Sequence, residues 1–317
     1  MSTKKYKIVK SESIVYKGRT LYRIKALKTF CVACTAISIV VKKGELGGFI
    51  ETENNLSQEG YCWIFNNAKV YDDARVSEDA KICGGAEIFD SAEVFGNAEI
   101  SGNTQIFYGA HVCGNAKVYG YAKVCGKARV YGEAKVYNFA KILDNAQVYD
   151  NAKIYENTIV AGDVQIYHNA QVYGNAWIYD DAFICDNARI YGLAKIFNKA
   201  IVYGNAKVYG NAQIFGKAKV YGNAEVYENA EIFDYAFIFG DAKVFSNAKI
   251  FGTTWLYCAA KIGDKLSLNK GKYIFATLNI DETLSEIEPI CYKISFAVRV
   301  IELKLPIEQG YIESLVS

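Results

Sequence analysis

Few residues in this sequence belong to types that carry out covalent chemistry. There are only two histidines, His111 and His168. Imidazole titrates near neutral pH, so each histidine is a candidate general base. They lie 57 residues apart, about three coils of the repeat described below, and therefore do not form a pair. We predict no catalytic residue, and His111 or His168 acting alone stays open as the alternative.

The nine cysteines provide the other candidate chemistry. "CVAC", from Cys31 to Cys34, has the two-residue gap of metal and redox motifs. It lies in an apolar stretch without a second pair, which favours a buried structural pair over a zinc or redox site. No regular cysteine framework is visible, which indicates reduced thiols. The sequence also has no P-loop pattern. We predict no metal and no cofactor.

A six-residue repeat must position any functional side chain. Every sixth residue from Ala68 to Ala260 belongs to one slot, and 29 of its 33 positions hold Ala. The exceptions are Thr104, Thr158, Val164 and Thr254. Two residues after each of these positions lies an aliphatic side chain. From Ile64 to Ile250 this second slot is filled 32 times, always by Val or Ile and without insertion. This pattern is typical of a β-solenoid in which Ala and Val or Ile point inward.

The aromatic residue that follows each Val or Ile shows how many sides a coil has. Read at every eighteenth residue, one column holds only tyrosine: Tyr119, Tyr137, Tyr155, Tyr173, Tyr191, Tyr209 and Tyr227. Another column ends with Phe197, Phe215, Phe233 and Phe251. A period of three hexads predicts a triangular parallel β-helix with 18 residues per coil. We assign residues 58–264 to this solenoid, 1–57 to a β-rich N-terminal cap, and 265–317 to a β-rich C-terminal cap or oligomerisation segment.

The segment that leads into the repeat resembles a known family. It reads "KKGELGGFIETENNLSQEGYCWIFNNAKV", from Lys42 to Val70. Its "GELGGFIE", "NLSQEG" and "CWIF" are similar to the entry segment of YdcK-type β-solenoids, which are bacterial and phage-encoded hexapeptide-repeat proteins. The resemblance implies a left-handed coil. It also implies the alternative function of an acyltransferase with a lone histidine as base, although this chain has Tyr or Phe where many acyltransferase hexads have Gly.

The tyrosine column shares its side with a mostly cationic column that includes Lys117, Lys135, Lys153, Arg189 and Lys207. Tyrosine beside lysine or arginine can anchor a protein partner or bind nucleic acid. The rings can also do no more than stack on each other and stabilise the sheet. Our main hypothesis is a non-enzymatic scaffold that presents the face with Tyr119, Tyr137, Tyr155, Tyr173, Tyr191 and Tyr209 to a protein partner. A phage-encoded inhibitor of a host protein is one form of it, and a nucleic-acid binder is the second alternative.

The other two sides become more apolar toward the C-terminal half. Their outward residues include Ile159, Trp177, Phe183, Ile201, Phe237 and Trp255. Exposed apolar patches are usually covered, here either by the C-terminal segment folding back or by a second copy of the chain, and we predict a homo-oligomer interface.

Composition and charge limit the location and the partners. No stretch approaches 18 consecutive apolar residues, and the N-terminus lacks a signal-peptide pattern. We therefore predict no membrane partner and a location in the cytoplasm of a bacterium, or of the host if the protein is phage-encoded. Residues 1–57 hold 11 Lys and Arg against 4 Asp and Glu. This excess suits an anionic partner at this end, although lysines solvated on exposed strand faces are the more common cause of such a balance.

Overall fold

The structure is a computed structural model that describes residues 4–32, 39–274 and 277–278. All of these residues belong to one compact unit, Met1–Glu286. Almost every regular element is a β-strand, and a single 3₁₀ turn at Glu53–Asn55 is the helical element of the described residues. The repeat forms a parallel β-solenoid, as the sequence predicts. Each strand pairs in register with the strand 18 residues later, as Lys135 pairs with Lys153.

Three strands per coil build three faces. Face 1 contains Lys69–Val70, Glu87–Ile88, Gln105–Ile106, Lys123–Val124, Lys141–Ile142, Ile159–Val160, Trp177–Ile178, Lys195–Ile196, Gln213–Ile214 and Glu231–Ile232. Face 2 contains Arg75–Val76, Glu93–Val94, His111–Val112, Arg129–Val130, Gln147–Val148, Gln165–Ile166, Phe183–Ile184, Ile201–Val202, Lys219–Val220 and Phe237–Ile238. Face 3 contains Trp63–Ile64, Lys81–Ile82, Glu99–Ile100, Lys117–Val118, Lys135–Val136, Lys153–Ile154, Gln171–Val172, Arg189–Ile190, Lys207–Val208, Glu225–Val226, Lys243–Val244, Lys261–Ile262 and Thr277–Leu278.

The interior is a narrow column of small and medium side chains. Every Ala of the first slot and every Val or Ile of the second is buried. The threonines that replace Ala are buried as well, and Thr158 donates its hydroxyl to the carbonyl oxygen of Tyr155 at 2.7 Å. A polar side chain is tolerated there because the corner leaves a carbonyl within reach.

The corners depend on one residue with positive φ in every hexad. Gly126 has φ 76° and Asp144 has φ 57° at equivalent positions. Where the corner residue is Asp, its carboxylate accepts a hydrogen bond from the next coil, as Asp144 Oδ2 does from the Gly162 amide at 3.0 Å. Gly, Asn and Asp therefore recur at the corners, because they are the residues that most readily adopt this conformation.

The N-terminal strands cover the first coil. Strands β1 (Tyr6–Tyr16) and β2 (Arg19–Ala26) form an antiparallel hairpin. After β3 (Phe30–Val32) and β4 (Ile39–Val41), strand β5 (Leu46–Ile50) pairs with β2 and, in parallel, with Lys69–Val70.

Trp63 shows the effect of this cover. It occupies an outward slot but is fully buried, with the Phe30 ring edge-on to it at 5.5 Å. The ammonium group of Lys5 is buried beside it and donates to the Cys62 carbonyl oxygen at 3.1 Å. Burial lowers the pKa of Lys5. The open end of the parallel sheet is thus closed by the chain itself.

The coil register changes near the C-terminal end. The strand Lys249–Tyr257 runs from face 1 round to face 2 and pairs with Ser267–Ile274, where the offset falls from 18 residues at Lys249 and Ser267 to 17 at Trp255 and Lys272. The remainder of the predicted C-terminal cap lies outside the described residues.

Candidate functional site

The tyrosine column on face 3 is a continuous ladder of stacked rings. Tyr155 lies between Tyr137 and Tyr173, with ring centroids 4.9 Å from each and planes within 3° of parallel. The same stacking extends from Tyr119 to Tyr227, with spacings of 4.8–5.0 Å. This confirms the prediction that residues eighteen apart lie over one another. Each inner ring has a neighbour on both of its flat sides, which leaves ring edges and hydroxyl groups to face solvent.

Partial burial raises the pKa of several phenols in the ladder. Burial raises the pKa of Tyr155 to about 12, and the neighbouring Tyr137 and Tyr173 act in the same direction. Burial likewise raises the pKa of Tyr209 to about 12, with a further contribution from Glu225. These hydroxyl groups therefore stay protonated near neutral pH and are available as hydrogen-bond donors along the face.

The cationic column beside the ladder is neutralised at its two ends and not in its middle. Glu99 accepts from Lys81 at 3.2 Å and from Lys117 at 2.9 Å. Glu225 does the same for Lys207 and Lys243, each at 3.0 Å. Partial burial opposes the ionisation of Glu225, but the hydrogen bonds from Lys243 and Lys207 outweigh it and lower the pKa of this carboxyl.

Three cations in the middle have no such partner. Lys135, Lys153 and Arg189 make no ion pair with any residue that the structure describes. Among the predicted partner-binding cations, Lys117 and Lys207 are thus held by Glu99 and Glu225. The sequence places both carboxylates in this column at the same period of eighteen, but it does not show that they pair with these lysines.

The two histidines lie in different coils and do not meet. His168 is a corner residue with φ 55°, and its Nδ1 lies 2.9 Å from Asp186 Oδ1. His111 is an outward residue of face 2 whose ring packs edge-on against Phe95. A carboxylate that orients an imidazole is the arrangement of a general base. Neither histidine, however, lines either of the two cavities described below.

Among the cysteines that the structure describes, one thiol is exposed and the others are partly or fully buried. Cys31 is exposed, so the prediction of a buried pair at "CVAC" is wrong for this residue, because it points outward from the short β3–β4 hairpin. Cys34 lies outside the described residues. No group of three His, Cys, Asp or Glu side chains that could hold a metal ion is found within the described ranges.

The predicted oligomer residues fall on two faces. Ile159 and Trp177 are paired neighbours on face 1, and the Trp177 side chain is 48% exposed. Phe183 pairs with Ile201, and Phe237 with Trp255, on face 2. All of these except Trp177 are half-buried. Contact of these residues with a second copy of the chain stays a prediction.

Two cavities lie at corners of the coil. One, of about 330 Å³, is lined mainly by charged residues where the N-terminal cap meets the first coils, and Arg19 there pairs with Asp72 and Glu51. The other, of about 510 Å³, lies at the corner between faces 1 and 2 and is lined by Gly162, Asp163, Asp180, Asp181, Asn198 and Lys199. In the first, Arg19 is paired with two carboxylates, whereas the second has three carboxylates against one lysine.

Comparison with known proteins does not assign the chain to a group. No protein-family profile and no curated protein matches the sequence. None of the described helical segments has the length and apolar character needed to cross a membrane. The candidate site must therefore be interpreted from its geometry.

Proposed function

We propose that this protein is a non-enzymatic β-solenoid scaffold that binds a protein partner through face 3. The observation that supports this proposal is the uninterrupted tyrosine ladder beside three cations, Lys135, Lys153 and Arg189, that pair with no carboxylate in the described part of the chain. Tyrosine and arginine are the residues that most often anchor protein interfaces. The partner surface would carry carboxylates, since it must complement this cationic middle section.

The stacking argues for a protein rather than for a nucleic acid. Single-stranded nucleic acids bind by stacking their bases on aromatic faces. Here the flat sides of the inner rings are already covered by rings at 4.8–5.0 Å. Ring edges and hydroxyl groups remain, and these suit hydrogen bonds and side-chain packing across a protein interface.

Two finer assignments belong to the same proposal. The left-handed sense of the coil and membership of the YdcK-type family rest on the resemblance of residues 42–70. An inhibitory role, in which a phage-encoded protein occupies the surface of a host protein, rests on that resemblance as well. A homo-oligomer formed through faces 1 and 2 would leave face 3 accessible to a partner and is compatible with both of these assignments.

The decisive experiment reverses charge without disturbing the ladder. The variant Lys135→Glu/Lys153→Glu/Arg189→Glu is compared with the wild type and with Lys123→Glu/Lys141→Glu, a control on face 1. Proteins retained from a bacterial lysate by each immobilised variant are quantified by mass spectrometry. We expect a partner with an acidic surface to be lost with the face 3 variant and kept with the control. A partner set that is unchanged by the triple reversal would refute the assignment of face 3.

The alternative functions are tested on the same preparations. Calorimetric binding of acetyl-CoA that disappears in His168→Ala or His111→Ala would support the acyltransferase and defeat the scaffold proposal. A gel shift with single-stranded nucleic acid that weakens steeply as salt increases would support the nucleic-acid binder. We expect neither signal.

A further inference from the structure

The aromatic column of face 2 is interrupted in two places. Its rings are Phe95, Tyr131, Tyr149, Tyr167, Tyr203, Tyr221, Phe239 and Tyr257. Cys113 interrupts the column between Phe95 and Tyr131, and Cys185 interrupts it between Tyr167 and Tyr203. We call these positions the Cys113 gap and the Cys185 gap. At each, a single sulfur atom stands where the column otherwise has a ring.

The size of each gap is one ring. Filled neighbours in this column are 4.6–5.2 Å apart, from Tyr203 with Tyr221 to Phe239 with Tyr257. Two coils therefore separate Tyr167 from Tyr203 by about 9.6 Å, at the strand spacing of about 4.8 Å. One added ring with the same tilt would stack on both. Burial raises the pKa of the Cys185 thiol and outweighs a hydrogen bond with the Tyr167 side chain that acts in the opposite direction, so the thiol at the floor of the gap carries no charge near neutral pH.

The outward column beside the Cys185 gap is apolar. Rings in this column lean toward the outward residue sixteen positions later, as shown by Tyr149, whose hydroxyl lies 3.4 Å from Gln165 Oε1. A ring over Cys185 would therefore lean toward Ile201. Ile201 pairs with Phe183, which lies two residues before Cys185 and faces outward on the same face. An apolar aromatic group fits this site better than a polar one.

The edge of face 2 beside this gap is acidic. The cavity of about 510 Å³ lies at the corner that leads into Phe183, and three carboxylates and one ammonium group line it, a formal charge of −2. Asp180 accepts a hydrogen bond from Asn198 Nδ2 at 2.9 Å. Asp181 makes no side-chain hydrogen bond or ion pair with any residue that the structure describes. A cation placed here would meet carboxylates that are not already neutralised.

We propose that the Cys185 gap and the adjoining acidic cavity together bind a segment of a partner protein in which an aromatic side chain is followed or preceded, two residues away, by arginine or lysine. Cys185 lies four positions after Asp181, which corresponds to about 13 Å of extended chain. In an extended partner segment, residues two apart are about 7 Å apart, and a long basic side chain covers the rest. The site lies on a different face from the proposed face 3 interface and does not depend on it.

The Cys113 gap provides an internal control. It spans the same two coils of the repeat and is bounded by Phe95 and Tyr131. The residue sixteen positions after it is Arg129, and the corner that leads into its strand contains Tyr108 and Gly109 instead of carboxylates. A cationic aromatic segment should therefore favour the Cys185 gap over the Cys113 gap because of charge alone.

The first test uses the capped peptide acetyl-4-fluorophenylalanyl-glycyl-arginine amide and the width of its ¹⁹F NMR signal. We expect broadening with the wild type and with Cys113→Tyr, and none with Cys185→Tyr, in which the chain's own ring fills the gap. Asp180→Asn/Asp181→Asn should reduce the broadening without filling the gap. Broadening that persists in Cys185→Tyr, or that is absent with the wild type, would overturn the proposal. All of these variants retain the repeat, and circular dichroism checks that they fold.

The second test measures access to the two thiols. The rate of alkylation of Cys185 and of Cys113 by iodoacetamide is followed by peptide mass spectrometry, with and without the same peptide. Protection of Cys185 by about threefold at about 10 mM peptide corresponds to a dissociation constant of about 5 mM. The rate at Cys113 should not change. Equal protection at both thiols would contradict the charge argument and overturn the proposal.

Self-association through the Cys185 gap must be distinguished from binding of a partner protein. In sedimentation experiments without peptide, a wild-type dimer that becomes monomeric in Cys185→Tyr would show that a second copy of the chain occupies the gap. That result would overturn the proposal, since the occupant would be a second copy and not a partner protein. A sedimentation coefficient that is the same for both proteins is the result we expect.

Discussion

Faces 2 and 3 are built from the same hexad but present different surfaces. The ladder of face 3 runs without interruption from Tyr119 to Tyr227 beside a column that is mostly cationic. That of face 2 is broken at Cys113 and Cys185, and its outward column turns apolar at Phe183 and Ile201. The interior behind both is the same buried Ala and Val or Ile. The difference teaches that the inward positions fix the fold, while the outward positions are free to define separate surfaces.

The largest expected effect comes from removing a ring with two stacked neighbours. Tyr155→Ala on face 3 should lower the free energy of unfolding by about 2–3 kcal/mol, because it removes two ring pairs and their buried area. Tyr131→Ala on face 2 should cost about half as much, since Tyr131 stacks only on Tyr149. Denaturant unfolding followed by circular dichroism measures both. Equal costs would mean that ring pairing is not what stabilises the faces.

Filling the gaps should have the opposite and somewhat smaller effect. Cys185→Tyr and Cys113→Tyr should each raise the free energy of unfolding by about 1–2 kcal/mol, since each adds a ring between two others. Cys185→Ala, which leaves the gap open, is the matched control and should not stabilise the protein. A loss of stability in both tyrosine variants would show that the gaps are narrower than one ring.

Alkaline pH should weaken the ladders. The pKa of Tyr155 and of Tyr209 is raised by burial to about 12, whereas an unfolded tyrosine titrates near about 10. The folded state therefore holds these protons when the unfolded chain has already released them. Their contribution to stability is complete below about pH 10 and is lost as the pH rises through about 12. The melting temperature should fall across this range, and less steeply in Tyr155→Phe.

The smallest effect is expected from Glu225→Gln on face 3. This change releases Lys207 and Lys243, but exposed ion pairs contribute only about 0–1 kcal/mol. Because the pKa of Glu225 is lowered in the folded protein, any contribution of this carboxylate to stability is present above the pKa of the unfolded carboxyl. It is lost as the pH falls from there through the lower pKa of the folded state. The clearer readout is binding: the variant should bind an acidic partner more tightly at low salt. Weaker binding would show that Glu225 itself contacts the partner.

Much of the fold could be predicted from the sequence, because a repeat without insertions forces residues eighteen apart into contact. That reasoning gave the three faces and the order of the tyrosine column. It did not predict that Glu99 and Glu225 pair with lysines, because whether a charge is paired depends on side-chain geometry between coils. It misplaced Cys31, because an apolar stretch can form a short hairpin with one side exposed.

By itself the sequence determined the period, the inward slots and the identity of each column, since β-branched residues and Ala at fixed spacing allow one way of stacking. Only the tertiary structure decided which surfaces those columns make. Stacking covers the flat sides of the rings on face 3, leaves ring-sized gaps on face 2, and brings Asp180 and Asp181 beside one of them. The physical reason is that the repeat alone decides which side chains point inward and are buried. Whether an outward charge is paired or a ring is covered depends also on the side-chain conformations of its neighbours one coil away.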